Sequence, residues 1–250
     1  MTWDGWLYYL AMARHKDATT PGRSKYARII RVYDLLLETF GPQHWWPGDS
    51  PFEMITGAIL TQSAAWTNVE KAIGNLKRAS ALSPAALRDL PLEELAQLIY
   101  PSGYYNAKAA KIKAFVQHLA VYEDDLGRLF ATDVPSLRRE LLGIHGVGEE
   151  TADSIILYAA GKPSFVIDAY TRRIFRRLGI AGEADTYGAY RSMFQGHLPA
   201  DPSLYNEYHA LLVKLGKEIC QPKPRCGLCP LHGICPAGKE NTVAAARMVH

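Results

Sequence analysis

The chain has four cysteines, Cys220, Cys226, Cys229 and Cys235, in the spacing Cys-x5-Cys-x2-Cys-x5-Cys. Thiolates are soft ligands, and four of them on one compact stretch match the ligand count of a four-iron four-sulfur cluster. Zinc is the rival, although structural zinc sites usually pair two Cys-x2-Cys knuckles and only one is present. Two disulfides are a third reading, disfavoured in a reducing compartment. Lys214, Lys217, Lys223 and Arg225 make the surroundings basic. Arg172, Arg173, Arg176 and Arg177 form a second basic group, whose spacing makes two stripes on a helix, one of them available to a polyanion.

Upstream, Gly146-Val147-Gly148 separates two amphipathic segments. Glycines let a backbone turn tightly and approach another surface, and the free amides at the start of the following helix suit a phosphate. A helix-helix corner that binds nothing has the same composition. Asp168 follows the apolar run Phe165-Val166-Ile167 and precedes another helical segment. Read alone, it is a helix N-cap. The same partly desolvated carboxylate would also stabilise a cationic sugar or deprotonate a water.

These groups must be held by helices. Apolar residues at spacings of three and four predict helices over 24–40, 51–60, 67–77, 84–89, 92–99, 107–122, 134–142, 149–160, 170–178, 186–198 and 204–219. Gly41-Pro42, Pro101-Ser102-Gly103 and Gly161-Lys162-Pro163 supply the breaks. Alternating strand patterns are missing, so the fold class is all-α, with residues 239–250 read as a flexible tail.

With 250 residues, 48% of them hydrophobic and 21% charged, the chain has room for a large core and is neither disordered nor a disulfide miniprotein. Lys+Arg 28 against Asp+Glu 25 gives +3, which permits a polyanionic partner without identifying one. No run reaches the ~18 to 20 apolar residues of a membrane helix. The start, MTWDGWLYYLAMARHK, lacks the basic opening and cleavage site of a signal peptide, so a cytoplasmic location is expected and no membrane partner.

The segments Pro51 to Gln62, Gly103 to Ala109, Leu142 to Ala152 and Phe165 to Arg173, followed by the cysteines, stand in an order that resembles the helix-hairpin-helix DNA glycosylases of the endonuclease III family, over about residues 24–236. The resemblance implies a two-domain fold with a C-terminal iron-sulfur cluster loop. A helical-barrel domain over 44–162 would contain the hairpin, about 137–160. Residues 1–43 with 163–238 would form the 4Fe-4S cluster domain, its metal ligands being Cys220, Cys226, Cys229 and Cys235. The first Cys gap is one residue shorter than the family's usual one.

The resemblance also assigns roles. Asp168 falls at the catalytic aspartate position, and the backbone of Gly146, Val147 and Gly148 would hold the DNA backbone. Bifunctional members carry a lysine where this chain has Glu150, and a carboxylate cannot form an imine. Base removal by water without efficient AP lyase activity is therefore expected. A base must leave the duplex before its glycosidic bond is reached, and Gln62 and Ser63 fall at the family's wedge, although the glutamine usual at the Ser63 position is absent. Core packing is the ordinary explanation of Trp45. Trp46 and Trp66 resemble the aromatic pair of the 3-methyladenine branch, and an alkylated purine cation would gain about 1 to 2 kcal/mol on such faces.

The expected function is thus a monofunctional glycosylase removing alkylated purines from double-stranded DNA containing damaged bases, acting as a monomer. The alternatives are a uracil/thymine mismatch or oxidised-pyrimidine glycosylase with weak lyase activity, and a non-catalytic DNA-binding or redox-sensing module.

Overall fold

The computed structural model describes residues 21–45, 48–180 and 184–247, and among them there are helices and no strands. In chain order these are α1 (Pro21–Phe40), α2 (Pro51–Leu60), α3 (Trp66–Arg78), α4 (Pro84–Asp89), α5 (Leu92–Leu98), α6 (Tyr105–Leu119), α7 (Leu126–Leu129) and α8 (Val134–Leu142). There follow α9 (Glu149–Ser154), α10 (Ala169–Arg177), α11 (Tyr187–His197), α12 (Pro202–Glu218) and α13 (Pro236–Arg247). Local chemistry sets the starts. Ser50, Ser83, Asp133, Asp168, Thr186 and Asp201 each accept a hydrogen bond from an amide of the first turn, and proline opens α2, α4, α8 and α12.

The buried apolar residues fall into two clusters. Ile55, Ile59, Val69, Leu95, Phe115, Val116 and Ile156 belong to the first, built by α2 to α9. Phe165, Phe175, Phe194, Tyr205 and Tyr208 belong to the second, where Phe165 and Phe194 stack at 3.9 Å. Helix α1 joins this second core despite its place in the chain: Tyr33 meets Tyr208 edge-on, and the Tyr208 hydroxyl donates to the Ile29 carbonyl. Gly216 lets α12 close on α10, because a Cβ there would lie 2.6 Å from the Tyr170 ring.

The expected helix over 149–160 is interrupted. After Ser154 the chain makes a π turn, Ile155–Ala159, and this is where it passes from one core to the other: Ile156 packs in the first, Leu157 and Tyr158 against the second. One extra residue per turn re-aims the side chains that follow. A buried ionic knot joins the same regions. Asp153, fully buried, receives Arg138 at 3.0 Å, Arg191 at 3.2 Å and the Ser164 hydroxyl at 2.5 Å.

Of the expected tail 239–250, residues 239–247 are helical in α13. Pro236 starts that helix, and the Gly238 amide donates to Cys235 Sγ. Its Ala-rich stretch carries strong helix propensity, but its apolar pattern is weak. Residues 248–250 lie outside the described residues. No helix among the described residues is long and apolar enough to cross a membrane.

Candidate active site

A cleft of about 1330 Å³ runs between the two cores. Its walls carry Trp45, Gln62, Trp66, Gly146, Glu150 and Asp168. The structure therefore brings most of the residues singled out by sequence to one place.

The hairpin is built from both of its glycines for different reasons. Gly146 has φ +82°, and a Cβ there would lie 2.2 Å from Cγ of Lys111, so neither the conformation nor the space admits a side chain. Gly148, at the start of α9, faces open space. Val147 between them is buried and anchors the turn in the first core. The Gln62 side-chain amide donates to the Gly146 carbonyl and to Thr151 Oγ1, both at 3.0 Å, while Lys111 Nζ donates to Gln62 Oε1. Gln62 is thus committed to the hairpin; Ser63, exposed, sits at the loop tip with φ +53°.

Behind this loop Lys108 is buried. It donates to the Leu60 and Ser102 carbonyls at 2.8 and 2.6 Å, and burial, with Lys111 adding, brings its pKa down to about 8. The bond pair places the loop after α2 near the turn carrying Tyr104, a 75% exposed aromatic with φ +46° that sequence reasoning did not single out.

Asp168 caps α10, and its Oδ1 accepts from the Thr171 amide at 2.7 Å. The capping and site readings are therefore compatible: one oxygen fixes the helix and Oδ2 is left to the cleft. Burial alone would raise its pKa, but the facing imidazole of His209 and the Thr171 amide outweigh that and hold the carboxyl below its usual range. His209, on α12, has Nε2 3.6 Å from Asp168 Oδ2 and Nδ1 2.5 Å from the Tyr158 hydroxyl. Trp45 stacks on the imidazole at 5.5 Å with a 20° tilt. The Trp45 ring thus forms cleft wall as well as packing. His209 and Tyr158 were not foreseen, since each reads in sequence as one polar residue on an apolar helix face.

Glu150 retains solvent contact on the cleft wall. Its carboxyl is nevertheless pushed up to about 7, first by lost hydration and then by the negative Asp168, with His209 acting the other way. Trp66 is half buried: its ring lies over Gly57 of α2, and its Nε1 donates to Glu70 at 3.0 Å. Trp46 lies outside the described residues.

The basic stripes of α10 are tied down internally. Arg172 and Arg176 pair with Asp185; Arg173 donates to the Gly216 and Cys220 carbonyls, and Arg177 to the Gln221 and Pro222 carbonyls. Arg172 and Arg176 nevertheless keep side-chain exposures of 38% and 61%.

The four cysteines lie in the loop between α12 and α13, and none is joined in a disulfide. Cys229 is pushed up to about 11 by burial and then by the charges of Cys220, Cys235 and Cys226; Cys235 is raised for the same reasons. Arg177 donates to Cys220 Sγ at 3.2 Å. Among the described residues no three His, Cys, Asp or Glu side chains converge on a single metal-ion position.

Residues 56–199 match the family described as HhH-GPD superfamily base excision DNA repair protein. A protein of Methanocaldococcus jannaschii, provisionally named a DNA repair glycosylase, is 42% identical over 85% of this chain and 97% of its own length. A non-covalent endonuclease III–DNA complex aligns with TM-score 0.75 at 25% identity, covering 87% of this chain and 98% of that one. A 3-methyladenine DNA glycosylase of H. pylori bound to 1,N6-ethenoadenine aligns with TM-score 0.67 at 26% identity, covering 78% and 97%.

Proposed function

The chain belongs to the HhH-GPD superfamily of base excision DNA repair proteins, and from that premise we propose that it hydrolyses the N-glycosidic bond of alkylated purines, such as 3-methyladenine, in double-stranded DNA. One observation carries the reading: a carboxylate held ionised, Asp168, shares a cleft with the glycine hairpin and with the aromatic walls Trp45 and Trp66. The hairpin backbone would take the phosphates, and the indoles would take the extruded base.

Alkylation at N3 or N7 leaves the purine positively charged. As the bond from C1′ to the base nitrogen breaks, its electron pair goes to the base, which departs neutral. Positive charge develops on the sugar, where the Asp168 carboxylate stabilises it. A water oxygen then bonds to C1′, and its proton passes to Asp168 and on to solvent. Such a base needs little acid assistance. Glu150 offers no amine, so borohydride should trap little protein on damaged DNA.

The four cysteines would hold a 4Fe-4S cluster. Support comes from the donor set: four neighbouring thiols on one loop, with Arg177 donating to Cys220 Sγ at 3.2 Å. Such a group would fix the loop against α10 and α13. We read the two cores as the two domains.

The test is incubation with methylated genomic DNA and identification of the freed bases. Wild type should release 3-methyladenine, whereas Asp168→Asn should bind lesion DNA and release it at least about 100-fold more slowly. Release only of uracil or thymine from mismatches would replace the alkylpurine reading.

A further inference from the structure

His209 is nine-tenths buried, yet among the described residues its Nε2 has no hydrogen-bond partner and points at the Asp168 carboxylate. A buried donor is expensive to leave unmade unless something makes use of it. The Tyr158 hydroxyl at Nδ1 decides what Nε2 carries. Burial, and the nearby charges of Asp168 and Glu150, keep that phenol protonated. With a neutral imidazole the phenol donates to Nδ1, which leaves the ring proton on Nε2. With an imidazolium, Nδ1–H donates to the phenol oxygen and Nε2 is again protonated. The remaining tautomer would aim a lone pair at a carboxylate and is disfavoured.

We propose that Tyr158 and His209 form a positioning relay that presents Nε2–H to Oδ2 of Asp168, thereby setting both the charge and the aim of the catalytic carboxylate. The inference rests on the glycosylase reading only for the word catalytic; the relay itself is a statement about three side chains. Thr171 N–H fixes Oδ1 at 2.7 Å, and His209 Nε2 faces Oδ2 at 3.6 Å, so one oxygen is bonded and the other has a donor aimed at it. Trp45 stacked on the imidazole keeps the ring plane. Other titratable groups facing this pair are Glu150 on α9, Tyr170 on α10 and Tyr187 on α11, with Lys214, Lys217 and Glu218 further along α12. Of these, Glu150 feels both members of the pair: the Asp168 charge disfavours its ionisation and His209 favours it. The relay thus keeps Asp168 ionised beside a carboxyl that holds its own proton more tightly.

The experiment is a carboxyl-carbon NMR titration of the full chain, with the Asp168 resonance assigned by its loss in Asp168→Asn. In His209→Gln the Asp168 midpoint should rise by at least one pH unit, a tenfold change in its ionisation ratio; an unmoved midpoint overturns the proposal. Tyr158→Phe retains both His209 and Asp168 and guards against misfolding of the first variant. In it, imidazole nitrogen shifts should lose the pure Nε2–H signature, and a retained signature also overturns the relay. Single-turnover base release adds a separate reading. The acid limb of its pH–rate profile should move to higher pH in His209→Gln by the same amount as the NMR midpoint, and an unmoved limb overturns the proposal. A wild type with the NMR coupling but no base release from methylated DNA supports the relay and defeats the repair reading instead.

Discussion

The side-chain amide of Gln62 donates to the Gly146 carbonyl at 3.0 Å, pinning the loop after α2 to the turn of the hairpin. Gln62→Ala breaks that bond and the one to Thr151, and leaves Lys111 without its acceptor. A loss of about 1 to 3 kcal/mol is expected, read calorimetrically as a fall of roughly 5 °C in Tm. An unchanged Tm with base release lost would return Gln62 to the wedge role.

Asp153 is buried with two guanidiniums and a hydroxyl around it. Removing one member of such a group strands the others, at about 3 to 5 kcal/mol. Asp153→Ala should therefore lower Tm by roughly 10 °C or more, and chemical denaturation should show the same loss. A variant as stable as wild type would mean that Arg138 and Arg191 find other partners.

Glu150 gives a pH dependence with a definite sign. Its carboxyl, raised from 4.5 to about 7 in the folded chain, binds its proton more tightly there than in the unfolded chain. The stability it contributes is present below pH 4.5 and is lost as pH rises to about 7. Wild type should thus lose Tm relative to Glu150→Gln across that window, with a constant difference above it. Parallel Tm curves would remove the account of a carboxyl raised by the cleft.

Trp66 lines the cleft with its ring over Gly57, only half buried. Trp66→Ala should abolish 3-methyladenine release while circular dichroism stays that of wild type. Undiminished release would discard the aromatic pocket.

Purified protein should contain iron and acid-labile sulfide in equal amounts, and Cys226→Ser should lose both together. Zinc in their place would overturn the cluster reading. Because Arg173 and Arg177 brace the loop from α10, loss of the group should also lower Tm.

What the sequence decided alone is local. A serine or aspartate starts a helix by accepting bonds from amides two or three residues on, and a proline by its fixed φ, which is why α2, α4, α8 and α10 begin where their caps stand. Glycines at 146 and 148 and the cysteine spacing carried chemistry for the same reason, each being a short-range pattern. Helix α13 escaped because its apolar residues do not form a clear stripe. The tertiary structure alone decided which distant faces meet. It turned Trp45 onto His209, joined Gln62 to Gly146 and spent the α10 arginines on Asp185 and the cysteine loop. It also set Tyr158, from a π turn no periodicity reveals, against His209 on α12. Apart from the Asp185 pairs, those partners lie tens of residues apart, and their pairing follows from how two cores pack against each other across one cleft, which no local pattern encodes.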